Sequence, residues 1–281
     1  MIGIELFVAL LLSGIFGGYI GSLVGLGGGF VIMPVLTIFL GVPIEYAAGA
    51  SLIATIATSS GAASAYVRDR IANMKIGMSL EIGTTAGAII GALVAVFIYD
   101  RGLQSVIYII FGVALISSIY PTLRKASRAG MAPARQDNTT RIFQLKGKYF
   151  DKQLGKTVRY YGIRWWTSAL VMLFAGIISG LLGVGSGALK VLGLDDAMNL
   201  PDKVSTTTSN FMIGVTAAVG SAIYWNAGYI EPFIAGASVI GVLIGAYAGS
   251  KALPGMKNSS VRNLFLVIIF VLAVEMIYRG I

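Results

Sequence analysis

The sequence predicts an all-α polytopic membrane protein: about eight transmembrane helices in two homologous, inverted halves, with broken helices at two glycine-rich motifs. Three observations predict it. Of 281 residues, 56% are hydrophobic and 12% charged, with a mean hydropathy of +0.83; soluble domains hold roughly 45–50% apolar and about 25% charged residues. Apolar stretches long enough to cross a ~30 Å hydrocarbon core as helices recur along the chain. A shift of 158 positions superposes the chain on itself, pairing Gly25 with Gly183, Gly27 with Gly185, Gly29 with Gly187, Pro43 with Pro201, Ser51 with Ser209 and Tyr66 with Tyr224.

The first stretch, about 4–24, reads as a retained span, because Met1 to Glu5 lacks the basic start and the small-residue cleavage site of a signal peptide. The apolar run continues from Ile4 to Leu40, too long for one helix. Gly25, Gly27, Gly28 and Gly29 lie at its centre, each costing about 1 kcal/mol against Ala in a helix interior. That predicts a break followed by a half-helix over about Phe30 to Leu40. Spans at 47–67, 79–99 and 103–120 complete a first membrane repeat, 1–121.

A basic linker, 122–165, follows. A second repeat, 166–281, holds spans at 167–189, 204–224, 230–250 and 261–278 and a second phrase, GLLGVGSGALKVLG. After a four-residue difference in the intervening loop, Gly87 and Gly91 pair with Gly241 and Gly245, whose spacing suits close helix packing. Tyr120 then pairs with Tyr278 at the original shift.

Cysteine and histidine are both absent, which excludes disulfides, thiolate chemistry, most zinc sites and Ser-His or Cys-His dyads. No cofactor or metal is predicted. The net charge of +9 does not indicate nucleic acid, because eleven Lys and Arg against two Asp between Pro121 and Trp166 account for all of it. A loop of that length and charge reads as cytoplasmic.

Loop charges also bear on the orientation of the halves. With the linker inside, the 68–75 loop with Arg68, Arg70 and Lys75 is inside as well. The equivalent second-half loop, 225–230, has no Lys or Arg, whereas the next has Lys251, Lys257 and Arg262. Inverted halves put that basic loop inside and parallel halves put it outside, so charge favours inversion, which requires an odd number of crossings per half and a hairpin or short extra crossing at the glycine phrase. Within the linker, β-favouring residues around a Lys152 to Gly155 turn predict a small hairpin before the interfacial aromatics Tyr160, Tyr161, Trp165 and Trp166. The bland reading of the linker is a topogenic loop held at the headgroups.

Duplicated halves with matched helix breaks are the pattern of secondary transporters, whose substrates bind between the repeats. Backbone amides at a helix start attract anions, and glycine allows close approach. Candidate substrate-binding residues are therefore Gly27, Gly28, Gly29 and Ser51 in the first half, with Gly185, Ser186, Gly187, Lys190, Thr208, Ser209 and Asn210 in the second. Lys190 is the most informative, since an ammonium in apolar surroundings needs a partner, water or an anionic ligand. Its counterpart is Ile32; a structural partner in Asp195, Asp196 or Glu275 is the alternative. Ser51 and Ser209 can donate to an anion or bond to backbone carbonyls.

GLGGG and GVGSG lack the strand context and Gly-Lys-Ser/Thr ending of a nucleotide loop. Ser186 and Lys190 at i, i+4 would suit a Ser-Lys dyad of an intramembrane hydrolase, but Gly28 occupies the position matched to Ser186.

GSLVGLGGGFVIMPVLTIFLGVPIEYAAGASL and GLLGVGSGALKVLG, with LPDKVSTTTSNFMIGVTAAVG, resemble the sulfite exporter TauE/SafE family, also called the toluene sulfonate uptake permease family. The likeness covers nearly the whole chain. Ser186 departs from the middle glycine, and Leu192 stands where a proline is usual. The resemblance implies a multi-pass permease of the cell (cytoplasmic) membrane, not an enzyme, that moves sulfite, sulfoacetate or other organosulfonates by alternating access. An anion channel, or a uniporter for another small carboxylate or oxyanion, is the alternative. The partners expected are a small anionic substrate and the lipid bilayer, no nucleic acid, with a homodimer left open.

Overall fold

A computed structural model describes residues 2–24, 27–68, 71–124, 136–151, 155–252 and 258–281. Gly25, Arg70, Lys257, three residues of the expected hairpin turn (152–154) and the linker's Lys125, Arg128 and Arg135 lie outside the described residues. The elements are α1 (Ile2–Val24), α2 (Gly29–Phe39), α3 (Ile44–Arg68), α4 (Met74–Asp100), α5 (Gln104–Arg124) and α6 (Asn138–Phe143), then strands β1 (Lys146–Asp151) and β2 (Lys156–Tyr161). There follow α7 (Trp165–Leu182), α8 (Gly187–Leu192), a π turn (Gly193–Ala197), α9 (Asp202–Asn226), α10 (Pro232–Ala252) and α11 (Asn258–Gly280).

Among the described residues, four helical segments are long and apolar enough to cross a membrane: Gly3–Leu23, Met74–Asp100, Trp165–Leu182 and Pro232–Gly249. Helices α3 and α9, of 25 residues each, are more polar. They pack on one another and bury Ser51, Thr55 and Ser59 on one side, with Thr208, Ser209, Asn210 and Thr216 on the other. The polar interior therefore sits where these two helices cross.

The break after α1 falls where expected, and the half-helix runs over Gly29–Phe39. In the second half the expected span 167–189 is cut short. Gly183 adopts a left-handed conformation (φ +70°), and its N–H closes the last turn of α7 on the Ser179 carbonyl at 2.9 Å. The stop falls within the second glycine phrase, where a break was expected, and it depends on glycine tolerating positive φ.

Helix α1 packs on α10, α4 on α7, and α5 on α11. A Cβ on Gly87 or Gly91 would strike the α7 backbone at Leu173 and Ile177; one on Gly241 or Gly245 would strike α1 at Leu11 and Ile15. These four glycines allow backbone contact between helices. At the centre, Phe30, Ile32, Leu52, Phe111 and Tyr224 are buried in one apolar core.

The linker is a folded layer, not only a topogenic loop. Strands β1 and β2 pair antiparallel, Lys146 opposite Tyr161 and Asp151 opposite Lys156. Leu145, Tyr149 and Tyr160 share a second apolar core with Ile76, Leu80, Met172, Met198 and Met212. Polar contacts fix the layer to the helix starts: Asn73 Nδ2 donates to Tyr160 Oη at 3.0 Å and Trp165 Nε1 to Ser79 Oγ at 3.1 Å.

Asp137 ties α6 to α7. Its carboxylate accepts from Thr140 N and Arg164 N, both at 2.7 Å, and from the Thr139 and Thr140 hydroxyls, both at 2.8 Å. Partial burial acts to raise its pKa, but these donors outweigh burial and hold the carboxyl well below the usual carboxylate range. A depressed folded pKa contributes stability above the unfolded value of about 3.9, and that contribution is lost as pH falls toward the folded value. Asp137→Ala is expected to speed tryptic cleavage at Arg141 at pH 7, where the wild-type carboxylate is ionised and the tie is intact. Equal cleavage at pH 7 would contradict the tie.

Candidate functional site

The two glycine phrases are brought against each other. Gly27 (φ +81°) and Gly185 (φ +75°) hold left-handed conformations. A Cβ on either would face the same two side chains, Thr55 and Ile213, which are themselves matched by the 158-residue shift. A Cβ on Gly29 would lie 3.2 Å from Val184 Cα, and closer still to the Thr55 and Ser51 hydroxyls. Only glycine permits this approach of one phrase to the other.

The matched serines hold the short helices in place. Ser51 Oγ donates to Gly29 O and Ser209 Oγ to Gly187 O, each at 3.2 Å. Both are buried. Their single protons go to carbonyls in this conformation, the second of the two uses expected for them. Thr55 Oγ1, beside Gly29, is buried with no hydrogen-bond partner among the described residues.

The remaining candidates are placed differently. Gly28 is right-handed (φ −66°), whereas Ser186 is left-handed (φ +42°), an uncommon state for a residue with a side chain. The Ser186 hydroxyl donates to Ala175 O at 2.6 Å, and so does not pair with Lys190. Thr208 Oγ1 accepts from Asn73 N at 3.0 Å, and the Asn210 carbonyl accepts from the Ser59 hydroxyl. Thr208 thus borders the linker side of the site, and Asn210 joins α9 to α3.

Lys190, on α8, is 0% exposed. Its ammonium donates to Met212 O at 3.0 Å and to Thr216 Oγ1. Thr216 Oγ1 in turn lies 2.6 Å from Glu81 Oε1, on α4. The acidic partner is therefore Glu81, reached through one hydroxyl. Glu275, one of the partners considered from sequence, instead pairs with Arg279 at 3.1 Å on a part-exposed helix face. Asp195 and Asp196 lie in the π turn.

Glu81 and Thr216 were missed from the sequence, although two signals were present. Glu81 lies inside the expected 79–99 span, where a carboxylate is costly, and Thr216 is matched by Thr58 at the 158-residue shift. The repeat counterparts of Lys190 and Thr216 are Ile32 and Thr58 at the 158-residue shift, and the counterpart of Glu81 is Ala235 at the 154-residue offset that follows the shorter loop. The charged cluster exists on one side alone of an otherwise matched arrangement.

A family model described as sulfite exporter TauE/SafE matches residues 10–276. Probable membrane transporter protein YunE of Bacillus subtilis is 27% identical over 282 residues, 98% of each chain. Probable membrane transporter protein YdhB of the same organism is 28% identical over 246 residues, 87% of each. Probable membrane transporter protein MJ0441 of Methanocaldococcus jannaschii is 24% identical over 263 residues, 86% of this chain and 84% of that one. No solved structure matches. These names are those of membrane transporters, not enzymes, and agree with the apolar helices. A match that runs through both glycine phrases and nearly the whole chain places the protein in the sulfite exporter TauE/SafE family of membrane transporters.

Proposed function

We propose that this chain is a permease for small sulfur-containing anions, sulfite, sulfoacetate or other organosulfonates, working by alternating access between two inverted membrane repeats, with about eight long spans in all and a hairpin or short extra crossing at each glycine phrase that makes the number of crossings per repeat odd. The repeats are 1–121 and 166–281, in the cytoplasmic membrane, with the 122–165 linker on the inner face. The observation that carries the reading is Lys190, a fully buried ammonium on the short helix that follows one of two apposed glycine phrases. Positive charge in hydrocarbon is retained where a ligand or a partner needs it, and the family model is that of anion exporters. The glycine phrases bring backbone close to the anion, Lys190 supplies its counter-charge, and Ser51 and Ser209 set the position of the phrases. Burial of all three side chains fits an occluded stage of the cycle. The Ser186 hydroxyl bond to Ala175 weighs against a Ser-Lys hydrolase.

Counterflow in proteoliposomes tests the reading. Labelled sulfite and methanesulfonate are expected to exchange and saturate, and acetate to exchange far more slowly. Flux that never saturates favours a channel, and no exchange of any anion overturns the proposal.

A further inference from the structure

The charged cluster restricts what can be carried, and with what. Lys190 and Glu81 face one another at this site through Thr216 Oγ1. The neighbours of α4 and α8 bring other ionisable groups, none of them hydrogen-bonded to the Glu81 carboxylate among the described residues. Helix α7 has none, and the π turn has Asp195 and Asp196. Helix α9 has Asp202 and Lys203 at its start, roughly 20 Å along the helix from Thr216, and Tyr224, whose hydroxyl donates to the Gly180 and Leu181 carbonyls. Helix α5 has Tyr108, which faces Arg279 and Glu45. On α4 itself, Lys75 donates to Gln144 and Asp100 accepts from Tyr229.

A site in the membrane interior is stable only near zero net charge. With Glu81 ionised, Lys190 is already balanced, and an arriving anion would leave one uncompensated negative charge. With a proton on Glu81, Lys190 is unbalanced until the anion arrives. Two states are therefore favoured: Lys190 with ionised Glu81, or Lys190 with protonated Glu81 and a singly charged anion. Glu81 Oε2 is buried and makes no hydrogen bond of ordinary geometry among the described residues, with the neutral Thr84 and Thr85 hydroxyls also beside the carboxyl, and a proton would neutralise it.

We propose that Glu81 is a proton-binding site and that the protein carries a singly charged anion, such as a sulfonate, together with one proton. This rests on the anion reading of Lys190. The proton comes from the aqueous phase that delivers the anion, adds to the Glu81 carboxylate, and leaves with the anion on the other side, so each cycle is electroneutral. Because the two bindings are linked, acid strengthens anion binding by the factor by which the anion strengthens proton binding. Doubly charged anions such as sulfate would leave a net negative charge and bind weakly.

The test is calorimetric titration of the purified full chain with methanesulfonate, a permanent monoanion, at pH 7 in two amine buffers of different protonation enthalpy. The difference gives protons taken up per anion bound. About one proton is expected, with sulfate binding at least tenfold weaker and Glu81→Gln binding methanesulfonate with no proton uptake. Binding without proton uptake in the wild type overturns the coupling and leaves the anion site standing. No binding of any anion overturns the anion reading and this inference with it. If Glu81→Gln does not fold, the wild-type proton count decides alone.

Discussion

Lys190→Ala is expected to destabilise the protein by up to about 3–5 kcal/mol, the range for breaking a buried pair and leaving one charge behind, less what Glu81 recovers by taking up a proton. The charge left behind is Glu81, 7% exposed, with no hydrogen bond of ordinary geometry to Oε2 among the described residues. Lys190→Ile combined with Glu81→Ala should recover most of that loss, since it removes both charges and installs the residues found at the matched offsets, Ile32 and Ala235. Anion exchange should be absent in both variants. Unfolding in an SDS titration of Lys190→Ile, Glu81→Ala and the double variant that combines them gives the coupling energy of the pair. If the double variant is less stable than the sum of its parts, Lys190 and Glu81 are not a pair in the folded protein. Because stability returns and exchange does not, the double variant also separates a transport defect from a folding defect.

Gly185→Val is expected to leave little or no folded, exchanging protein. A Cβ there would lie 2.7 Å from Ile213 Cγ2 and 2.9 Å from Thr55 Cγ2, and the backbone is left-handed at φ +75°. Left-handed backbone costs a residue with a Cβ roughly 1–2 kcal/mol, and crowding a packed interior adds about 1–3 kcal/mol. Gly236, with nothing within 4 Å of its would-be Cβ, is the contrast: Gly236→Ala should be neutral or stabilising by up to about 1 kcal/mol. Yields of monodisperse protein with counterflow on the same preparations check both. A folded Gly185→Val protein with normal exchange would contradict the close approach of the two phrases.

How far the sequence reaches depends on whether a feature is local. Helix positions follow from apolar length, and the break before α2 follows from four clustered glycines, so both were legible. The break after α7 was legible in the same way from the second glycine phrase, but its position was not, because the φ of Gly183 ends the helix at Leu182, several residues before the expected 189. Lys190 stood out because an ammonium in an apolar segment is costly wherever the segment packs. Its partner did not, because the contact with Glu81 exists only once α4 packs beside α9 and Thr216 bridges the gap. The carboxylates considered from sequence were Asp195 and Asp196, near it in the chain, and Glu275, whose partner turned out to be Arg279 one helical turn away. Ser51 and Ser209 were legible as a matched pair, but the direction of their hydroxyls depends on where the short helices sit.

Methanesulfonate counterflow through proteoliposomes holding equal amounts of folded wild type and the Lys190→Ile, Glu81→Ala double variant tests most directly whether the buried ammonium is the anion's counter-charge. Saturable exchange by the wild type and none above empty vesicles for the variant is the expected result. Exchange by the variant at the wild-type rate would contradict it.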